Sequence, residues 1–109
     1  MIAKTPKPPY YAVIFTSIRT EGDLENYGKT AQRMLELATE QTGFLGYESA
    51  RNEIGITVSY WTDLAAVSAW KRNTEHITAK QNGREKWYES YKVRICRVER
   101  EYGFEQGVE

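Results

Sequence analysis

The 109-residue chain carries 15 basic and 15 acidic side chains, no formal net charge, one histidine and one cysteine, and is 40% hydrophobic. A chain of this length buries one core and gives no reason for an internal boundary. Balanced, interspersed charge argues against a nucleic-acid groove or an anionic membrane as the main partner, and a lone cysteine excludes an intrachain disulfide and disfavours a cysteine-based metal site.

Residues 1–9 read as a flexible arm, because Pro6, Pro8 and Pro9 remove backbone donors and favour extended geometry. The arm is expected to lie over the surface or over a neighbouring subunit. No apolar run approaches bilayer length, and the opening residues lack the continuous apolar segment of a secretory signal, so the expected location is the cytoplasm. The folded domain spans 10–103, and 104–109 form a loose tail.

The segment YYAVIFTSIR places Tyr11, Val13, Phe15 and Ser17 on one face and Ala12, Ile14, Thr16 and Ile18 on the other. Both faces are mostly apolar, as expected of a strand covered on both sides. A helix follows from Leu24 or Asn26 to Gln41, with Tyr27, Ala31, Met34, Leu35 and Ala38 at helical spacing. Gly43 is its natural left-handed stop. Phe44 to Arg51 reads as a second strand, where Gly46 marks a bulge or a close backbone approach. Ile54 to Thr62 reads as a third, alternating Ile54, Ile56, Val58 and Tyr60 against Gly55, Thr57, Ser59 and Trp61, and the two form a hairpin. Thr62 or Asp63 caps a helix through LAAVSAWKR; Asn73 and Thr74 are expected to interrupt it and to recap a stretch from Glu75 towards Trp87, weakened at Gly83. The last strand, Ser90 to Tyr102, shifts its apolar set from Tyr91, Val93 and Ile95 to Cys96 and Val98, which signals a bulge or a change of buried face. Cys96 reads as a small core residue.

This order specifies an α+β, ferredoxin-like βαββαβ fold: a four-stranded antiparallel sheet with helices on one face. The other face needs a cover, and a second copy of the chain is its simplest supplier. The expected assembly is a homodimer with sheets face to face, a dimeric α/β barrel.

The run from Tyr60 to Tyr91 holds all three tryptophans and the only histidine. His76 suits a pocket base or a donor to a substrate oxygen, against the commoner role of a lone helical histidine bonding a neighbouring strand or subunit. Trp70 suits the wall of a site for a flat aromatic ligand, against plain core packing. Trp61 and Trp87 fit core or dimer contacts. Tyr60 and Tyr88 offer hydroxyls to a cavity, and Asn73 offers an amide, which capping also explains. Lys80 and the arginines of the last strand, Arg94, Arg97 and Arg100, fit a solvated surface.

GFLGYESAR, YWTDLAAVSAW, WKRNTEHITAKQNGREKWYESY and VRICRVEREYGF together resemble the antibiotic biosynthesis monooxygenase superfamily of dimeric α/β barrels, which includes the haem-degrading monooxygenases. The resemblance runs from the first strand to Tyr102. It implies an oxygenase of a kind that often works without metal or flavin: an electron-rich substrate, deprotonated in a dry pocket, itself gives an electron to dioxygen. Haem-degrading relatives use instead a histidine of the second helical region, a tryptophan pressing on the macrocycle and an asparagine on the first strand. Trp70 matches that tryptophan. The ligand position falls about one helical turn past His76, at Lys80, and the first strand offers Thr16 and Ser17 in place of the asparagine. The resemblance therefore leads to a cofactor-independent monooxygenase of a small electron-rich, aromatic or phenolic molecule, with His76 and Trp70 in catalytic roles and Thr16, Tyr60, Asn73 and Tyr88 binding substrate. Haem binding and degradation is the second reading. A non-catalytic dimeric module for a small ligand or a stress role is the third; a pocket filled by its own aromatic side chains would favour it, whereas a polar cavity with convergent donors favours the enzymes.

Overall fold

The computed structural model describes residues 1–80 and 83–107. In chain order the elements are β1 (Tyr10–Arg19), α1 (Leu24–Thr39), β2 (Phe44–Arg51), β3 (Gly55–Trp61), α2 (Leu64–Lys80), α3 (Gly83–Trp87) and β4 (Tyr88–Val98). The four strands form one sheet in the order β2-β3-β1-β4, with every neighbouring pair antiparallel. This is the expected split βαβ arrangement.

Which face the helices cover is settled by Trp61, whose ring stacks on Trp70 of α2 at a centroid distance of 5.7 Å. Strand alternation then puts Tyr11, Val13, Phe15 and Ser17 of β1, and Gly55, Thr57 and Ser59 of β3, on the same side as Trp61. The helices thus sit over the more polar face of β3. Ile56, Val58 and Tyr60 point the other way, together with Ala12, Ile14 and Thr16.

Local chemistry explains the connections. Gly43 adopts φ +86° at the end of the turn after α1, and its carbonyl accepts the Thr62 N–H at 2.8 Å. A Cβ there would stand 2.6 Å from Thr62 Oγ1, so both the conformation and the space favour glycine. Gly46 meets both parts of its expectation: the β2–β3 register shifts between Phe44 and Gly46, and a Cβ built on it would lie 3.1 Å from Ala3 of the arm. Asp63 is the cap of α2, its carboxylate accepting the Ala66 N–H at 2.8 Å.

Two expectations about the second half are corrected. α2 runs unbroken through Asn73 and Thr74. Thr74 satisfies its hydroxyl on the Lys71 carbonyl within the helix at 2.9 Å, and Asn73 turns its amide outward to Gln41 at 3.1 Å, so neither competes with the helical ladder. Gln81 and Asn82, inside the expected second stretch, lie outside the described residues. Gly83 starts α3, where a side chain would collide with the Trp87 ring. In β4 the pairing with β1 is regular through Ile95 and Cys96, and the shift falls between Ile18 and Arg19. No bulge falls at the slip, and Tyr91, Val93 and Ile95 on the helix side and Cys96 on the other are all exposed, so no change of buried face is seen within the single chain. Cys96 is exposed on the face away from the helices, not in the core, because none of the described residues covers β4 there.

The arm crosses that same open face. Ala3 N–H donates to Glu48 at 2.9 Å and Tyr60 hydroxyl to the other Glu48 oxygen at 2.6 Å. Tyr10 and Thr5 hydroxyls donate to Glu101 at 2.5 and 2.7 Å, binding the arm to the segment after β4. Among the described residues no helix is long and apolar enough to cross a membrane.

Candidate active site

The helices do not seal the face they cover. Val13 and Phe15, at the middle of a central strand, are only half-buried, and α1 has one fully buried residue, Ala38. On edge strand β4, Val93 and Ile95 remain 47% and 50% exposed. The helix side of the sheet is consequently left partly uncovered, a shallow open surface, the cleft, with a mixed floor. Ser49 and Thr57 pair through their hydroxyls at 2.9 Å on its β2–β3 side, while Phe15, Tyr88 and Tyr91 form an aromatic group on its β1–β4 side.

The end of the cleft is formed by one row across the sheet. Arg51 of β2 pairs with Gly55 of β3, Gly55 with Ser17 of β1, and Ser17 with Tyr91 of β4. Gly55 has no side chain to obstruct the row; a Cβ there would fall 2.0 to 2.6 Å from the atoms of the Arg51 guanidinium. Arg51 therefore lies flat over Gly55 and donates from Nη2 to Ser17 Oγ at 2.6 Å. Ser17 is 1% exposed. Over this row come the phenols: Tyr27 of α1 and Phe15 each meet Tyr88 edge-on, at 5.8 and 5.5 Å between centroids. Burial pushes the Tyr88 phenol above the usual tyrosine range, the Tyr27 phenol adds to this, and the Arg51 cation draws it partly back. Tyr88 is accordingly neutral near pH 7, with a hydroxyl that can donate. Tyr88 and Tyr91 also line a cavity of about 450 Å³ that opens outward beside Arg84, Glu85 and Glu89. A second cavity, of about 470 Å³, lies against Tyr47 and the exposed Arg33, Glu36 and Glu40 of α1.

Of the residues singled out in the sequence, Trp70 and Tyr88 are on the helix-covered side. Trp70 packs on Trp61, which is 0% exposed and which also meets Phe44 at 5.3 Å. Thr16 and Tyr60 are not brought to that side: both point to the opposite face, where Tyr60 bonds Glu48 and packs edge-on against Tyr10 at 5.9 Å. Burial and the Glu48 carboxylate push the Tyr60 phenol up to about 12. His76 does not face the cleft either. Val67, Trp70, Thr74 and Ile77 make the inward stripe of α2, and His76, nine residues after Val67, is about two and a half turns on and faces outward. It is exposed. Asn73 is exposed and clamps α2 to the end of α1 through Gln41. Lys80 is exposed at the end of α2. Among the described residues no cluster of histidine, cysteine, aspartate and glutamate is arranged to hold a metal ion.

Arg51 and Tyr27 were not singled out as site residues in the sequence, and Ser17 entered only in place of the first-strand asparagine. The available signal was the alternation of β3: its Gly55, Thr57 and Ser59 share a face with the buried Trp61 and, through β1, with Ser17. Polar residues on the helix-covered side of a sheet mark a cavity wall.

A split βαβ arrangement, a four-stranded antiparallel sheet with helices on one face, defines a ferredoxin-like protein. The model of the antibiotic biosynthesis monooxygenase family matches residues 9–82, and the chain belongs to that family. It is 52% identical over 107 residues to the uncharacterized protein YqjZ of Bacillus subtilis (strain 168), covering 96% of this chain and 93% of the relative. The fold is shared with SnoaB, a cofactor-independent oxygenase from Streptomyces nogalater, at a TM-score of 0.68 and 11% identity over 86% of this chain and 97% of SnoaB. It is shared also with a dimeric ferredoxin-like protein from an uncultured marine organism, at a TM-score of 0.65 and 15% identity over 87% of this chain and all of that one.

Proposed function

We propose that the chain is a cofactor-independent monooxygenase of a small electron-rich aromatic or phenolic molecule, acting as a homodimer in the cytoplasm. The observation that carries the reading is the cleft itself: neutral phenol and hydroxyl donors beside aromatic walls, on a family scaffold that includes oxygenases. The reaction is a phenol oxidised by dioxygen to a quinone and water. One oxygen atom forms a bond to the ring carbon, and the other leaves as water with the two hydrogens and two electrons that the substrate gives up. The protein binds the ring against Phe15 and Tyr91 and directs the Tyr88 hydroxyl at the substrate oxygen.

Haem fits the residues poorly. The chain's one imidazole, His76, faces away from the cleft, and exposed Lys80 stands at the position that the resemblance aligns with the axial ligand. Trp70 is already stacked on Trp61.

Dimerisation is supported by the apolar open face of the sheet. Ile56 is 45% exposed there in the single chain, beside Ile14, Val58 and Cys96. The dimeric neighbour of the same fold points the same way. Free Cys96 is in keeping with a reducing compartment.

The test is oxygen uptake by the purified protein, without added metal, flavin or haem, across a panel of phenols and hydroxynaphthalenes. Uptake with one-to-one quinone formation is expected, and Tyr88→Phe should lower kcat/KM by roughly tenfold or more. Absence of uptake across the panel, or uptake only after haem is added, would contradict the proposal.

A further inference from the structure

We infer that the Arg51–Ser17 seat is an anion-recognition site, and that the cleft takes an aromatic molecule carrying a planar anionic oxygen group of the carboxylate class. The inference rests on the proposed oxygenase reading for what happens next to the bound molecule, but not for its binding.

Three observations converge on it. First, Arg51 has no carboxylate within ion-pair distance among the described residues. A guanidinium has five N–H donors, and only one contact, the bond to Ser17, is made with a side chain. An edge-strand arginine is usually held by solvent alone. This one is seated: Gly55 opens the space beneath it, and a serine that is almost completely buried fixes its outer nitrogen. Holding the fork flat and in place preserves its remaining parallel donors for a planar partner such as a carboxylate.

Second, the row that presents Arg51 continues into aromatic surface. Tyr91 is paired directly to Ser17, and its ring tilts against Phe15 at a centroid distance of 5.4 Å. A second guanidinium, that of Arg84, lies 5.9 Å from the Tyr91 ring centre. An aromatic ligand on this floor has cationic groups near it and phenol donors above it.

Third, the side chains nearest Tyr88 among the described residues are aromatic or cationic. The side chains that meet around Tyr88 are Phe15, Tyr27, Arg51 and Tyr91, without an imidazole or a carboxylate. Glu85 and Glu89 are exposed and belong to the outward cavity. A fixed cation beside these rings favours a ligand that carries an anionic group.

The experiment is binding of 1-hydroxy-2-naphthoate and its neutral counterpart 1-hydroxy-2-naphthamide, followed by quenching of the intrinsic tryptophan fluorescence. Wild-type protein is expected to bind the carboxylate at least tenfold more tightly than the amide, in line with a hydrogen bond to a charged group. Arg51→Gln should abolish that preference. Gly55→Ala is the control for folding: its backbone suits any residue, yet its Cβ occupies the guanidinium's seat, so it should lose the preference with Arg51 still present. Equal binding of the two probes by wild type, no binding of either, or an undiminished preference in Arg51→Gln would overturn the inference. Oxygen uptake separates the two proposals. Selective carboxylate binding with no turnover of any phenol sinks the oxygenase and keeps the anion site, whereas turnover of neutral phenols with no anion preference does the reverse.

Discussion

Trp61 ties β3 to α2 and to β2 through a single ring. It has no exposed surface, stacks on Trp70, meets Phe44, and donates its indole N–H to Ser59 at 2.9 Å. Trp61→Ala should therefore cost about 3–5 kcal/mol, measured by urea unfolding; a loss below about 1 kcal/mol would mean that the ring is not the keystone described. His76 is the opposite case. As an exposed side chain on the outward face of α2, it should be replaceable by alanine with a stability change within about 0.5 kcal/mol and with oxygen uptake unaltered. Glu101 carries a pH signature. Hydrogen bonds from Tyr10 and then Thr5 hold its carboxyl below the usual 4.5. A carboxyl depressed on folding stabilises the native state above its unfolded pKa and loses that contribution as pH falls through the folded value. The difference in Tm between wild type and Glu101→Gln should accordingly be constant at neutral pH and shrink below about pH 4.5. A difference that stays flat to about pH 3 would show that the Tyr10–Glu101 link does not operate in solution.

At the scale of elements, most of the architecture was legible from period and punctuation. The alternation of Tyr10–Arg19, the glycine stop at Gly43 and the close approach at Gly46 all have counterparts in the structure. The break expected at Asn73 and Thr74 was not there, because residues that cap well also tolerate a helix interior when their side chains find other partners. Asp63 is the cap that operates, and Asp63→Ala should cost about 1 kcal/mol, read from thermal or urea unfolding; an unchanged midpoint would remove it from that role. The candidate site was less legible. Titratable and bulky residues drew attention to the segment around His76, but a histidine's chemistry counts only if its helical phase points it inward, and His76 stands opposite Val67. Thr16 and Tyr60 were lost for the same kind of reason: period two separates them from Ser17 and Trp61 by one residue each, and that is a whole sheet thickness. Arg51 was invisible because its meaning depends on Gly55 and Ser17, its neighbours on two other strands.

At the scale of the molecule, the two faces of the sheet divide the work. The face beneath the helices keeps hydroxyls, phenols and a cation around a cleft, and the face away from them keeps Ile14, Ile56 and Val58 beside the arm. The proposed dimer covers the second face and leaves the first to its ligand. Sedimentation equilibrium should give twice the chain mass, and Ile56→Lys, which sets a charge in that interface, should shift it towards monomer; a wild-type monomer would contradict the assembly.

The central claim is that ligand binds on the Ser17 side of the sheet, and methyl NMR tests it most directly. Thr57 and Val93 flank Phe15 on that side, whereas Ile14 and Ile56 point away. On titration with 1-hydroxy-2-naphthoate the account predicts saturable shifts in the Thr57 and Val93 methyl signals, with Ile14 and Ile56 unmoved. Saturable shifts confined to Ile14 and Ile56 would put the site on the opposite face and contradict it.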